Sequence, residues 1–340
     1  MGDIYPQCKV AAVQASSVFL DRVASVEKAC RYIKEAGANG AKIIVFPECY
    51  LPGFPYWFYF YPAGDPKCIE WNRELFKNSV VVPSQETDQL CAAAKEAQAY
   101  VVMGINEKEA GTLGTMYNTQ LFIHKDGYLM GKHQKLVPTF IERIVHTGGD
   151  GSTLITCDTD YGTLGGLICG ENVNPLARFV LLARGESIHA ASWPCLTSKA
   201  QASLESLDIR TRYYAYEGKV FVISSTWVFT EEMKDILCLS KEIRDQMVGD
   251  GGHSAIIGPD GNFISGPSQG GESIIYGTID LERIIDAKIR HDVIGHYNRF
   301  DVFSVNFNSN KQKVLYEKKQ DCEEIGAYDH EGFETDDLLD

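Results

Sequence analysis

Residues 162–185, GTLGGLICGENVNPLARFVLLARG, form the stretch around which the rest of the chain is organised. A run of small and aliphatic residues ends at Cys169, and a polar turn separates this cysteine from an apolar helix that Asn174 and Pro175 open and Gly185 closes. Open α/β sheets place reactive groups where a strand ends and a helix begins. Backbone N–H groups at such a helix start favour a thiolate over a thiol. Cys169 is therefore either a reactive thiol or a structural cysteine that ends a buried strand.

Length, composition and charge limit the class of protein. The chain has 340 residues, of which 44% are hydrophobic and 23% are charged, as in an ordinary globular protein. The longest apolar runs are too short to cross a bilayer, and the first ten residues lack the features of a secretory signal. A net charge of −14 argues against nucleic acid or an anionic membrane surface as a partner. We expect a cytoplasmic protein.

Cysteine usage and the charge of the last residues refine this expectation. The ten cysteines are scattered and form no C-x-x-C pair, so we expect free thiols in a reducing cytosol and no zinc site. From Glu317 to Asp340 there are ten acidic residues against two lysines. Such a segment repels itself and has little to bury. We therefore predict one domain over residues 1–310, followed by an acidic, flexible tail over residues 311–340.

Hydrophobic periodicity predicts strands that alternate with helices early in the chain and with hairpins later. This order favours an α/β domain with mixed rather than purely parallel sheets. The predicted strands are 8–16, 42–46, 100–106, 187–192, 219–226 and 273–279, with hairpins at 116–136, at 152–169 and around the turn 258–261. The predicted helices run from Asp21 to Gly37, over 84–99, after Asn174, over 199–217 and over 281–290.

Two further groups stand at predicted strand ends and can complete a reactive site with Cys169. Glu48 directly follows an apolar strand, and Lys135 ends the first hairpin. A cysteine nucleophile needs a group that takes its proton and a cation that holds negative charge. A carboxylate can take the proton if burial raises its pKa toward the working pH. The alternatives are a solvated glutamate at position 48 and a surface ion pair between Lys135 and Glu142.

Histidine more often takes the proton of a catalytic cysteine, so the eight histidines are competing candidates. A structural role is expected for the three within or near predicted strands, which are His124, His133 and His189. Two others lie in turn-rich stretches and are harder to exclude from catalysis, namely His146 and His296. No Cys–His protease signature surrounds Cys169.

An aromatic segment, LPGFPYWFYFYPAGDP over residues 51–66, follows Glu48. Its four prolines exclude a regular helix or a central strand. The aromatic side chains either cover the core or form the wall of a small-molecule pocket.

Five segments of the chain resemble segments of known enzymes in both order and spacing. They are IIVFPE with Glu48, GKHQKLVPTFIER with Lys135 and Glu142, GGDGST, LICGEN with Cys169, and IGHYNRFDV near the end. Over roughly residues 8 to 303 the chain resembles the nitrilase branch of the carbon–nitrogen hydrolase superfamily.

The resemblance implies a four-layer α-β-β-α sandwich with mixed sheets and a Glu–Lys–Cys triad. At the matching positions, Glu48 is the implied general base, Lys135 the electrostatic partner and Cys169 the nucleophile. Glu142 matches a second family carboxylate that positions the site. The implied reaction converts a nitrile to a carboxylic acid and ammonia through a covalent thioimidate and a thioester. It requires neither a metal nor an organic cofactor.

One position departs from the family pattern, because the residue after the cysteine is commonly tryptophan and is Gly170 here. We expect extra room beside Cys169 at this point. The further candidates for substrate contact, each adjacent to a loop that carries a triad residue, are Phe54, Tyr59, Thr139 and Trp193. The IGHYNRFDV segment resembles a family segment associated with oligomers, although Phe300 stands where proline is frequent. A homo-oligomer, from a dimer to a spiral assembly, is the implied state.

Three functions remain compatible with these residues. A nitrilase is the leading hypothesis, and the aromatic segment after Glu48 favours it. An amidase or carbamoylase of the same superfamily would use the same triad. A non-catalytic member that serves as a scaffold would be expected to lack a triad residue, and all three residues are present.

Overall fold

The computed structural model describes residues 2–195, 204–247, 251–313 and 315, and its framework is a pair of six-stranded sheets. The strands, numbered in chain order, are β1 (Gln7–Gln14), β2 (Ala41–Val45), β3 (Tyr100–Lys108), β4 (Met116–Ile123), β5 (Leu129–Gln134), β6 (Cys157–Thr159), β7 (Gly162–Ile168), β8 (Ile188–Ser192), β9 (Phe221–Ser225), β10 (Ala255–Ile257), β11 (Phe263–Ser265) and β12 (Ser273–Asp280). The first sheet has the order β12-β1-β2-β3-β4-β5 and the second the order β11-β10-β9-β8-β7-β6.

Both sheets are mixed, as the order of the predicted elements indicated. In the first sheet β1, β2 and β3 run parallel, and the remaining pairs are antiparallel. In the second sheet β7, β8 and β9 run parallel, and antiparallel strands flank them. The parallel strands therefore align their carboxyl ends within each sheet, which is where the candidate residues Glu48 and Cys169 occur.

Helices cover the outer faces of the sheets. The described helices are α1 (Arg22–Ala38), α2 (Trp57–Phe60), α3 (Pro66–Asn78), α4 (Gln85–Ala97), α5 (Pro175–Ala183), α6 (Leu204–Gly218), α7 (Glu231–Ile236), α8 (Lys241–Gln246) and α9 (Glu282–Arg290). Aliphatic side chains of α1 and α4 pack on the first sheet, and those of α5 and α6 pack on the second. A further core lies between the two sheets. These four layers confirm the α-β-β-α sandwich.

Local signals explain where several elements begin and end. The Asp21 side chain accepts a hydrogen bond from the Ala24 N–H at 3.0 Å and caps α1, as predicted. Asn174 caps α5 in the same way through the N–H groups of Leu176 and Ala177. Helical periodicity predicts that Val23 shares one face of α1 with Val26, Cys30 and Ile33. That prediction is wrong for Val23, which is 63% exposed.

The aromatic segment contains more helix than its prolines indicated. One helical turn, α2, forms between Pro55 and Pro62, because those prolines bracket the turn rather than interrupt it. The prediction also missed α3, which Asp65 caps and which Pro66 opens as its first residue. Its buried residues, Cys68, Trp71 and Leu75, recur at helical spacing.

Some expectations fall at the limits of the described residues. The predicted helix over 199–217 is observed from Leu204 onward, and residues 199–203 lie outside the described ranges. The predicted tail, 311–340, is described only at 311–313 and 315, so the domain boundary stays a prediction. Among the described residues, nine cysteines are free thiols. Within the same ranges, no helix has both the length and the apolar character needed to cross a membrane.

Candidate active site

The structure brings Glu48, Lys135 and Glu142 into direct contact. Lys135 Nζ donates to Glu48 Oε1 at 2.8 Å and to Glu142 Oε2 at 2.5 Å. All three side chains are buried, with at most 1% of each exposed. The surface ion pair considered for Lys135 and Glu142 is therefore wrong, as is a solvated Glu48. Charged groups that are buried away from water need partners of opposite charge. The contacts of Lys135 with the two carboxylates provide these partners.

A residue that the sequence reasoning missed connects the two carboxylates. Asn118 Nδ2, on β4, donates to Glu48 Oε1 at 2.6 Å and to Glu142 Oε1 at 2.7 Å. The Asn118 carbonyl also accepts the Lys135 N–H at 2.8 Å. An asparagine within a buried strand is a polar group that needs a partner, and this was the available signal. Asn118 holds Glu48 Oε1 in place, while Glu48 Oε2 has no hydrogen-bond partner among the described residues.

The backbone around Glu48 is also constrained. The Glu48 carbonyl accepts a hydrogen bond from Trp227 Nε1 at 2.5 Å. Gly104 on β3 lies so close to the turn before Glu48 that a Cβ atom there would be 2.0 Å from the Pro47 carbonyl oxygen. Only glycine permits this approach of two backbones.

Cys169 lies at the end of β7 in a strained backbone conformation. Its φ angle is +50°, in the left-handed region that residues other than glycine rarely adopt. Cys169 begins a 3₁₀ helix, Cys169–Val173. Its sulfur accepts a hydrogen bond from the Gly170 N–H. Burial raises the pKa of the thiol, as do the charges of Glu48 and Glu142, whereas Lys135 and the Gly170 N–H act in the opposite direction. The thiol thus lies within the electrostatic field of the buried Glu–Lys cluster.

Electrostatics separate the roles that the two carboxylates can take. Burial raises the pKa of Glu48 to about 8, because loss of hydration and the nearby Glu142 outweigh Lys135 and Asn118. Burial also acts on Glu142, but Lys135 and His146 outweigh it and lower the pKa of Glu142. The two carboxylates likewise overcome the burial of Lys135 and raise its pKa well above the usual value. Glu142 and Lys135 are therefore paired as opposite charges, whereas the raised pKa makes Glu48 the more readily protonated of the two carboxylates.

The histidines that competed with Glu48 in the sequence analysis have other surroundings in the structure. His146 lies beside Glu142, with its Nδ1 3.7 Å from Glu142 Oε1, and its Nε2 contacts Asn106 Oδ1 at 2.8 Å. Burial lowers the pKa of His146 to about 4, so its ring is neutral at neutral pH. His133 and His189 have buried structural partners, as expected, and His296 is exposed.

The predicted pocket residues do not form a single cluster in the structure. Phe54 and Tyr59 stack with ring centroids 6.4 Å apart, and Tyr59 stacks in turn on Phe140, which is 74% exposed. Trp193 is fully buried elsewhere, in the core between the second sheet and its helices, against which Cys169 also packs. The structure does not bring Trp193 into the aromatic cluster of Phe54 and Tyr59.

Thr139 and Gly170 lie side by side. A Cβ atom on Gly170 would be 3.1 Å from Thr139 Oγ1 and 3.6 Å from Thr139 Cγ2. The Thr139 N–H donates to Glu142 Oε2 at 3.0 Å, which ties it to the charged cluster. The expected open space at Gly170 is thus wrong in the direction in which a side chain would point, because Thr139 occupies it.

This fold and site define a class of hydrolase. The model of the carbon–nitrogen hydrolase family matches residues 9–289, and the chain belongs to that family. The resemblance inferred from the sequence is confirmed. Among described residues, no group of three or more histidine, cysteine, aspartate or glutamate side chains is arranged to hold a metal ion.

Particular members of the family are similar to this chain over most of its length. The chain is 37% identical to a nitrilase of Bacillus sp. (strain OxB-1) over 96% of its own length and 95% of that protein. It is 38% identical to an aliphatic nitrilase of Rhodococcus rhodochrous, with 88% and 82% of the two chains covered. The structure of Saccharomyces cerevisiae Nit3, a member of branch 10 of the nitrilase superfamily, has the same fold, with a TM-score of 0.67 at 23% identity over 85% of this chain and 95% of that one.

Proposed function

We propose that this protein is a nitrilase that hydrolyses an organic nitrile to a carboxylic acid and ammonia. The observation that carries the proposal is the buried Glu48–Lys135 pair, whose field acts on the thiol of Cys169 at the end of β7. The similarity to proteins named nitrilases, over most of both chains, supports the choice of a nitrile as substrate.

In the proposed first step, Glu48 Oε2 takes the proton of Cys169, and the sulfur attacks the nitrile carbon. The C–S bond forms, one C–N π pair moves to nitrogen, and nitrogen receives the proton from Glu48, giving a thioimidate. Glu48 Oε2 suits this role because it is buried and has no hydrogen-bond partner among the described residues. Lys135 stabilises the negative charge that develops on the substrate nitrogen.

Two hydrolytic steps complete the proposed reaction. A water molecule that Glu48 deprotonates adds to the thioimidate carbon, and the C–N bond breaks as nitrogen leaves as ammonia. A second water adds to the thioester and breaks the C–S bond, which releases the acid and returns the proton to the Cys169 sulfur. The sequence consumes one nitrile and two waters and produces one acid and one ammonia. It uses no metal or organic cofactor, so activity should survive treatment with EDTA.

Ammonia release from aliphatic, aromatic and arylacetic nitriles, with the matching amides, tests the proposal. We expect hydrolysis of at least one nitrile class, and Cys169→Ala should abolish it and the covalent adduct detected by mass spectrometry. Turnover of amides alone would instead assign the chain to the amidases or carbamoylases. Undiminished activity of Cys169→Ala would refute the mechanism.

We also propose that the protein forms a homo-oligomer. Large apolar side chains are exposed on α6 and in the segment after α9, namely Ile209, Tyr213 and Tyr216 in the first and Tyr297, Phe300, Val302 and Phe303 in the second. Exposed apolar groups of this density are typical of interaction surfaces. Light scattering coupled to gel filtration and electron microscopy would separate a dimer from a spiral assembly, and a monomer at micromolar concentration would contradict the proposal.

A cytoplasmic location is proposed on the basis of the nine free thiols, which a reducing compartment maintains. Fractionation of cells that express the protein would test it, and recovery outside the cytoplasm would contradict it.

A further inference from the structure

A further buried carboxylate, that of Glu171, joins the two segments that carry Cys169 and Lys135. Glu171 Oε2 accepts the N–H of Ile168, the residue before Cys169, at 3.2 Å. Its Oε1 accepts the N–H of Leu136, the residue after Lys135, at 2.8 Å. One side chain thus bonds the backbone next to the candidate nucleophile and the backbone next to the candidate cation, although these positions belong to different sheets.

The connection extends to His133 on β5. His133 Nε2 contacts Glu171 Oε2 at 2.8 Å, and His133 Nδ1 contacts the Thr153 carbonyl oxygen at 3.1 Å. The His133 side chain thus connects the Glu171 carboxylate to the backbone of Thr153. Interactions with His133 and with the two backbone N–H groups outweigh the effect of burial and lower the pKa of Glu171, and a charged carboxylate is the stronger acceptor for those N–H groups.

The turn at Cys169 needs such support because its backbone is strained. A cysteine at φ +50° relaxes to another conformation unless its surroundings hold it. The Ile168 N–H bond to Glu171 constrains the residue before the cysteine. Asn172 Nδ2 donates a hydrogen bond to the Cys169 carbonyl oxygen at 3.0 Å and so constrains the cysteine itself.

We propose that Glu171 is a positioning residue that fixes the Cys169 thiol relative to Lys135. It does not react with substrate. It keeps the strained turn and the end of β5 in register, so that the thiol remains within the field of the Glu48–Lys135 pair. The inference rests on the proposed function for its turnover readout, and a chemical readout of the thiol itself is independent of that function.

Two substitutions test the role of Glu171. In Glu171→Gln one amide nitrogen replaces an oxygen and faces N–H donors, so at least one of the backbone bonds is lost. Glu171→Asp keeps a carboxylate beside His133 but is one methylene shorter and cannot reach both segments. The matched control is Glu272→Gln, since Glu272 also accepts several bonds, from Ser16, Lys28 and Tyr32, but lies directly before β12, at the opposite edge of the first sheet from β5.

The two readouts are the rate of Cys169 alkylation by iodoacetamide, followed by peptide mass spectrometry, and the separate kcat and KM for a nitrile. Displacement of a reacting group by about 1 Å lowers its rate by about 100-fold, so both the alkylation rate and kcat should fall on that scale in Glu171→Gln, with KM little changed. Glu171→Asp should show a smaller loss in the same direction, and Glu272→Gln should match the unmodified protein. Circular dichroism confirms that each variant is folded, and Glu171→Asp carries the test if Glu171→Gln does not fold.

Folded variants with unmodified alkylation rates would overturn the proposal, even if their turnover fell, because Cys169 would then be correctly placed without Glu171. A change in KM with an unaltered kcat would also overturn the proposal. If the unmodified protein hydrolyses neither nitriles nor amides, the proposed function fails, while the alkylation rates still decide the role of Glu171.

Discussion

Replacement of Glu142 by glutamine should move the acidic limb of the pH–activity profile to lower pH. As the proposed base, Glu48 is active only when unprotonated, and its pKa is raised to about 8. In the unmodified protein kcat/KM should therefore fall about tenfold for each pH unit below this pKa. Glu142 contributes to the raised pKa of Glu48, because its negative charge disfavours a second one nearby.

The size of this effect follows from the geometry around Asn118. The Oε1 atoms of Glu48 and Glu142 lie within 2.6 and 2.7 Å of the same Asn118 nitrogen. They are therefore no more than about 5 Å apart, and two unit charges at that distance repel by about 3 kcal/mol at an effective dielectric constant of about 20. This repulsion corresponds to about 2 pKa units. Neutralising Glu142 should shift the limb down by about 1 to 2 pH units.

Glutamine can keep part of the hydrogen bonding around position 142. An amide nitrogen at the Oε1 position loses the bond from Asn118 Nδ2 but can donate to His146 Nδ1, which lies 3.7 Å from that atom and has no hydrogen-bond partner among the described residues. The amide oxygen can still accept from Lys135. Initial rates of ammonia release between about pH 5.5 and 9.5 would give the limb in both proteins. A limb that stays in place or moves to higher pH in Glu142→Gln would refute the assignment of Glu48 as the base.

Three further predictions concern the packing around the site. Lys135→Met should destabilise the fold by about 3–5 kcal/mol in urea denaturation, because it leaves two buried carboxylates without their cation; a loss below about 1 kcal/mol would contradict this. Gly104→Ala should destabilise by about 1–3 kcal/mol and also lower activity, since its Cβ would be 2.0 Å from the Pro47 oxygen; unchanged thermal stability would show that the contact relaxes freely. Gly170→Ala should lower kcat/KM through its 3.1 Å approach to Thr139 Oγ1, and the loss should shrink when measured in a Thr139→Ala background; equal losses in both backgrounds would exclude Thr139 as the cause.

Patterns within short segments predicted an α/β domain with mixed sheets, whereas the resemblance to a known family implied the four-layer sandwich and the choice of Cys169. Periodicity and capping residues report local backbone preference and burial, so most strands and the helices α1, α4 and α5 were predicted close to their observed bounds. The same local patterns placed Glu48, Lys135 and Cys169 at predicted strand ends, which made them candidates for a reactive site. The short helices α7 and α8 were missed, because a helix of six residues contains too few turns for its period to be read.

Contacts between distant segments decided the rest. The sequence by itself determined the fold class, the order of its elements and the three residues at strand ends, because each depends on neighbours in the chain. Only the tertiary structure revealed that Asn118 bridges two carboxylates, that Glu171 joins the two site segments and that Thr139 fills the space beside Gly170. These features depend on side chains that approach one another across 24 to 70 positions of sequence, as Asn118 does with its two carboxylates. Hydrogen-bond geometry and burial at such separations arise only when the sheets pack together.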